Sequence, residues 1–296
     1  MSTTTPNERF GEIYDRGYAH YDGPRLGRIN ATWAITRWSM ARALGIKKGW
    51  GAKVIPFLRY LAALVPGVVV IGISAFVPTF PGVGYPALFG GIFLLEGIFV
   101  ATVTPEMLCP DRREGVLSLY ASRPITSANY VIAKLLAAGI LTLTISLLPA
   151  LILWVGKVFL EGDLIASLQS NGADLGRVVL AGVLIAFYLG AIGVAISGFT
   201  SRKPVAVGII LVGFTIIEGI IGALTNALRT ESWIGYLDLL SPSRVASALV
   251  FKLFGSPGDG APEFAPDASL LMVVLAMLAV IAIAVYNMWR RYSRND

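Results

Sequence analysis

The chain has 296 residues, 55% of them hydrophobic and 14% charged, with a formal net charge of +6 and a mean hydropathy of +0.71. Soluble domains carry about 25% charged residues, so this composition excludes a soluble globular enzyme and a disordered chain. One cysteine and one histidine exclude a disulfide framework, a multi-Cys zinc site and a His-based metal cluster.

Residues 1–53 read as a polar cytoplasmic leader, too short and too punctuated by Gly for a core of its own. His20 within it reads as a solvated histidine. Residues 29–44 form the first predicted helix. At 100° per residue, Ile29, Trp33, Met40, Ala43 and Leu44 share one arc, which predicts an amphipathic helix lying at the membrane interface. The alternative is a cytoplasmic helix packed on the bundle.

A membrane-spanning helix needs roughly 20 apolar residues. Six runs qualify: 54–77, 85–104, 130–160, 178–200, 204–228 and 268–289. None alternates as an outer-membrane strand does, so the fold class is all-α, a polytopic membrane protein with six transmembrane helices. Arg59, near the start of the first span, can snorkel to the headgroups. Residues 78–84 read as a short Pro/Gly turn and 161–177 as a polar loop. The outer loop 229–267 holds a marked helix, with Ser241 as N-cap, Pro242 at the first helical position and Gly255 just past the end. Val245, Leu249, Val250 and Leu253 make that helix partly apolar. Dipping into the outer leaflet and lying on the surface are both open. Gly182, Ala186 and Gly190, then Gly193 and Gly198, and separately Gly219 and Ala223, predict close helix approach, within one subunit or across a dimer seam.

Lys and Arg set orientation. Of the 24 such residues, nineteen fall on one side of these spans, leaving Lys157, Arg177, Arg229, Arg244 and Lys252 on the other. Both termini are therefore expected in the cytoplasm. The positive charge follows from this asymmetry and from anionic lipid, and is not a nucleic-acid signal.

The segment 105–129 between spans two and three carries the most information. Pro110 and Asp111 suit the first turn of a helix, Val116, Leu117 and Tyr120 recur at helical spacing, Pro124 stops it, and Ser127 can cap the next. A short charged helix held between two spans suits a soluble partner that pushes on it. The run Glu114-Gly-Val-Leu, then Arg123-Pro-Ile-Thr, then Tyr130 and Lys134, resembles ABC-2 type transporter permeases. The opening Gly11-Glu-Ile-Tyr-Asp-Arg-Gly-Tyr and Tyr21-Asp-Gly-Pro-Arg-Leu-Gly is similar to actinobacterial members. Val116 stands where many members carry Thr. The resemblance implies a type V exporter-like transmembrane domain over 54–296, preceded by the interfacial helix. It implies that Arg112, Arg113, Glu114, Gly115, Arg123 and Pro124 dock a separate ATPase subunit, and that a second permease subunit, identical or paralogous, completes the unit. It implies export across a bacterial cytoplasmic membrane, with ATP and magnesium on the partner and no cofactor on this chain. The sequence has no G-x-x-x-x-G-K-[ST] phosphate loop and no G-x-S-x-G or H-E-x-x-H constellation.

Two acids lie well inside spans, Glu96 in the second and Glu218 in the fifth. Each is about 10 residues from the outer end of its span, so both are expected roughly 15 Å below the outer surface. Such carboxyls should face protein or water rather than lipid. With spans two and five lining the central cavity in the family resembled, Glu96 and Glu218 are expected at the translocation pathway, with Phe93 and Phe214 one turn away. The alternative is that each is a structural acid hydrogen-bonded to a neighbouring helix. A membrane-embedded enzyme and a scaffold or sensor subunit remain as alternative functions.

Overall fold

The computed structural model describes residues 27–46, 48–77, 84–115, 125–160, 164–228, 233–255, 264–265 and 267–293. Among these the regular structure is helical: α1 (Arg28–Ala43), α2 (Trp50–Phe76), α3 (Tyr85–Arg113), α4 (Ser127–Leu160), α5 (Leu164–Phe199), α6 (Lys203–Ala227), a 3-10 turn (Ile234–Leu240), α7 (Pro242–Phe254) and α8 (Leu270–Tyr292). Six of these, α2 to α6 and α8, are long and apolar enough to cross a membrane. Their outer faces carry exposed Val68, Val179, Ile216 and Leu275, a surface that lipid satisfies and water does not.

The centre of the bundle is α3, packed by α4, α5, α6 and α7. It does not stop where the second apolar run stops. It continues through Pro105 and Pro110 to Arg113, so Pro110 and Asp111 belong to the last turns of this helix and do not open a new one. Each proline removes one backbone donor. The helix ends at Gly115, whose φ of +65° is the left-handed conformation that glycine adopts without steric cost. Glu114 N donates to Pro110 O at 2.9 Å and closes the last turn.

The longest elements, α4 and α5, have 34 and 36 residues. At about 1.5 Å per residue they run roughly 50 Å, well beyond a hydrocarbon core of about 30 Å. The excess in α5 includes residues 164–177, most of the stretch expected as a polar loop. The Trp154 indole of α4 donates to Asn171 O at 2.8 Å and holds the two extensions together. Lower down, a Cβ on Gly190 would lie 3.2 Å from Gly139 N, so the two backbones nearly touch. The α5 glycines thus serve packing within the chain. Gly193 faces Val100 and Thr104 of α3, and Gly198 faces Met288 of α8. Gly219, by contrast, has nothing within 4 Å of a built Cβ.

The expected helix forms as α1, and the face that packs on the bundle mixes polar and apolar residues. Ile35, Thr36 and Ser39 are buried, while Ile29 and Trp33 of the apolar arc stay exposed. Thr36 Oγ1 donates to Ala133 O at 3.3 Å. Hydrogen bonds to α4 therefore help fix the rotation of α1, and its apolar arc divides: Met40, Ala43 and Leu44 are half-buried against the bundle, while the Ile29 and Trp33 end is left uncovered. Arg59 likewise donates to Thr102 Oγ1 of α3 rather than reaching outward. On the opposite side, α7 forms with the expected ends, Ser241 at the N-cap and Gly255 at φ +89°. Its apolar side is covered by protein. Val245, Ala248, Leu249 and Val250 are buried among α3, α5 and α8.

Candidate functional site

Under the first turn of α7, between α3 and α6, lies a cavity of about 540 Å³ that is open on one side. Its origin is in the sequence of α3. Gly90 and Gly97 stand two turns apart on one face, and nothing lies within 4 Å of a Cβ built on Gly90. The missing side chains leave a hollow walled by Phe93, Leu94, Phe214 and Thr215, with Glu218, Pro242 and Ser243 at its polar end.

Glu218 is tied to that end by several hydrogen bonds. It accepts from Ser241 Oγ, Ser243 Oγ and, at 2.9 Å, Arg244 Nε. Arg244 also donates to Asp238 Oδ1 at 3.0 Å and Thr225 Oγ1 at 3.2 Å. Asp238 Oδ2 accepts from Ala265 N at 2.9 Å. One guanidinium therefore serves two carboxylates and joins α6, the 3-10 turn and α7. Ser241, the N-cap by position, makes no side-chain capping bond to the backbone of its own helix; its hydroxyl donates to Glu218 and lies 3.2 Å from Ser243 Oγ. The Glu218 carboxylate takes up the favourable position at the positive end of α7.

Glu96 stands elsewhere. It is buried, faces Ser146 of α4 and does not line the cavity; among the described residues neither its Oε1 nor Ser146 Oγ meets a hydrogen-bond partner. Phe93 and Phe214 thus border the same space as Glu218, whereas Glu96 sits in the wall between α3 and α4.

At the far end of α3 the charges divide into an inner and an outer set. Asp111 and Lys134 are 3% and 2% exposed and pair at 2.6 Å. Arg42 of α1 donates to Asp111 Oδ1 at 2.9 Å, and the Tyr130 hydroxyl donates to Asp111 Oδ2 at 3.0 Å. Lys134 Nζ also donates to Ser39 Oγ and Met107 O. Beside this set, Glu106 pairs with Lys48 and Lys203. Arg112 donates to Gly198 O at 2.7 Å, on one of the last carbonyls of α5. Arg113 and Glu114 point outward, paired to each other at 3.2 Å, with Arg42 at 3.6 Å from Glu114. Arg123 and Pro124 lie outside the described residues.

The family model described as ABC-2 family transporter protein matches residues 9–296. The chain belongs to that family. No curated protein matches it in sequence. It is therefore a multi-pass membrane protein and a transport permease of the ABC-2 type. In this ABC-2 chain the expected site residues fall into three places: Phe93, Phe214 and Glu218 at the cavity, Glu96 inside the α3–α4 wall, and Arg112, Arg113, Glu114 and Gly115 at the end of α3.

Sequence reasoning missed the partners. The sequence puts Arg244 on the outer side with no acid assigned to it, Asp111 in a first helical turn, and Lys134 in a motif with no partner. A signal existed in each case. A charged residue buried in an apolar context needs a countercharge, and Asp111 and Lys134 flank the same loop on adjacent spans.

Proposed function

We propose that this ABC-2 chain is the permease subunit of an ATP-driven exporter of a bacterial cytoplasmic membrane, with both termini in the cytoplasm. Two permease subunits, identical or paralogous, work with separate ATPase subunits that bind ATP and magnesium. The chain itself needs no cofactor and catalyses no reaction. The observation that carries this reading is the family match along residues 9–296. The Lys and Arg asymmetry supports the orientation. Export rests on the family resemblance.

In this reading the ATPase docks on the segment that follows α3. Arg113 and Glu114 are exposed there, and Arg123 and Pro124 belong to the same segment by sequence. Arg112 acts from inside by holding the end of α5, and Gly115 sets the direction in which the chain leaves α3. The inner charges of Asp111, Lys134 and Arg42 make the end of α3 a rigid unit with α1 and α4, so a push on the segment moves helices rather than a loop. Substrate passes along the α3–α6 cavity, bordered by Phe93, Phe214 and Glu218. Glu96 shapes the wall behind it.

The test is co-expression with an ATPase subunit from the same operon. Close charge pairs across a contact couple by about 1.5 kcal/mol or more. The double variant Arg113→Ala/Glu114→Ala should therefore weaken association about tenfold and lower substrate-dependent ATP hydrolysis in proteoliposomes. Wild-type assembly and transport by that variant and by Arg123→Ala would remove the docking assignment. Transport by the purified chain with no ATPase present would remove the ABC reading itself.

A further inference from the structure

We propose that the α3–α6 cavity binds a free amphiphilic amine, its apolar body between Phe93 and Phe214 and its ammonium group on Glu218. The proposal names a substrate class for the cavity and rests on the reading of that cavity as part of the transport pathway.

Volume comes first. About 540 Å³ lies within the roughly 300–1,000 Å³ of small-molecule sites. The walls are apolar and aromatic, and the polar groups gather at one end, so the occupant has one apolar and one polar end. The sign of the polar end follows from the charges. Arg244 is shared between Glu218 and Asp238, so this trio carries one negative charge in excess. Asp238 is only 6% exposed and turns its second oxygen to Ala265 N. Glu218 is 40% exposed and lines the cavity. The excess charge is therefore presented to the cavity by Glu218. A carboxylate has about four acceptor positions. Ser241, Ser243 and Arg244 fill three, which leaves one for a donor from the ligand. An ammonium group supplies both the donor and the charge. A carboxylate ligand would meet repulsion there, and a hydroxyl would supply the donor alone.

Full-length chain in nanodiscs of phosphatidylglycerol, without ATP or ATPase, is titrated with a fluorescent long-chain alkylamine. The matching alcohol and carboxylate are titrated in parallel, and protein-free nanodiscs give the baseline. The wild type should bind the amine at least about tenfold more tightly than the alcohol, as a charge-assisted bond requires. Glu218→Gln should bring the amine down to the alcohol and leave the alcohol unchanged. Gly90→Leu does not touch the Glu218 cluster and places its side chain in open space, so it should fold and should abolish binding of amine and alcohol alike. Equal binding of the amine and the alcohol by the wild type, unchanged binding by Glu218→Gln, or full binding by a folded Gly90→Leu overturns the proposal. Phosphatidylethanolamine offers the same ammonium on a lipid head. Loss of the amine signal in nanodiscs containing it would assign the cavity to lipid and overturn the free amphiphile. Because no ATPase is present, these outcomes are separate from the failure of ATP-driven transport.

Discussion

A buried charge is tolerable only with its partner, and Asp111 shows what that means here. Its carboxylate is held by Lys134, Arg42 and Tyr130 in a place that is nearly dry. Asp111→Asn leaves the Lys134 ammonium buried without a countercharge, which should cost about 3–5 kcal/mol. Removing both charges with Asp111→Asn/Lys134→Met should restore much of that loss. Thermal unfolding in detergent, followed by intrinsic fluorescence, checks the order: the single Asn variant melts lowest, the double variant higher, the wild type highest or equal to the double. A single variant that melts like the wild type would show that the pair bears no load. The sequence exposed both charges but could not pair them. Nothing in the spacing of residues 111 and 134 says that α3 continues two turns past its apolar run and so carries Asp111 to the side of α4.

At the scale of the element, small residues decide which helices can touch. Gly190 of α5 faces the backbone of Gly139, which cannot yield as a side chain can. Gly190→Val should therefore pry α4 from α5 and destabilise the protein by about 1–3 kcal/mol, the usual cost of overpacking. Gly219→Val on α6 meets nothing within 4 Å in this chain and should leave the melting temperature unchanged in the same assay. A large loss at Gly219 would mean that a second subunit packs there. Both glycines stand in small-residue stripes of the same kind, and periodicity alone treats them alike. The extension of α5 over residues 164–177 has a similar lesson. Asn171, Gly172, Asp174 and Gly176 give that stretch the composition of a loop. It is helical because Trp154 and the end of α4 lie alongside it, a tertiary support that overrides weak local propensity.

For the whole molecule, the testable consequence is topology. The chain's native thiol, Cys109, is fully buried and should stay silent to maleimide. Gly172→Cys, on the exposed α5 extension, should label in intact cells. Arg113→Cys, at the exposed end of α3, should label only after permeabilisation. The reverse pattern would invert the molecule in the membrane and with it the docking side. The cavity and the charged end of α3 lie at opposite halves of one continuous helix, so α3 is the physical link between them.

Composition and hydropathy by themselves determined that this chain is a bundle of six membrane helices, since in hydrocarbon every backbone group must bond within its own helix. The ends of α7 were also legible, because Pro242 and Gly255 act locally. So was the resemblance of the α3–α4 connection to the ABC-2 family. Rotation and partnership were not. Which face of α1 is buried, that Glu218 answers to Arg244, that Glu96 turns to α4 while Phe93 turns to α6, and that the apolar side of α7 packs on α3, α5 and α8 were settled by tertiary packing alone. The reason is physical. In a sequence where nearly every face is apolar, hydrophobicity cannot say which face meets protein and which meets lipid. That choice rests on steric fit at glycines and on a few buried hydrogen bonds, which exist only once the helices are side by side.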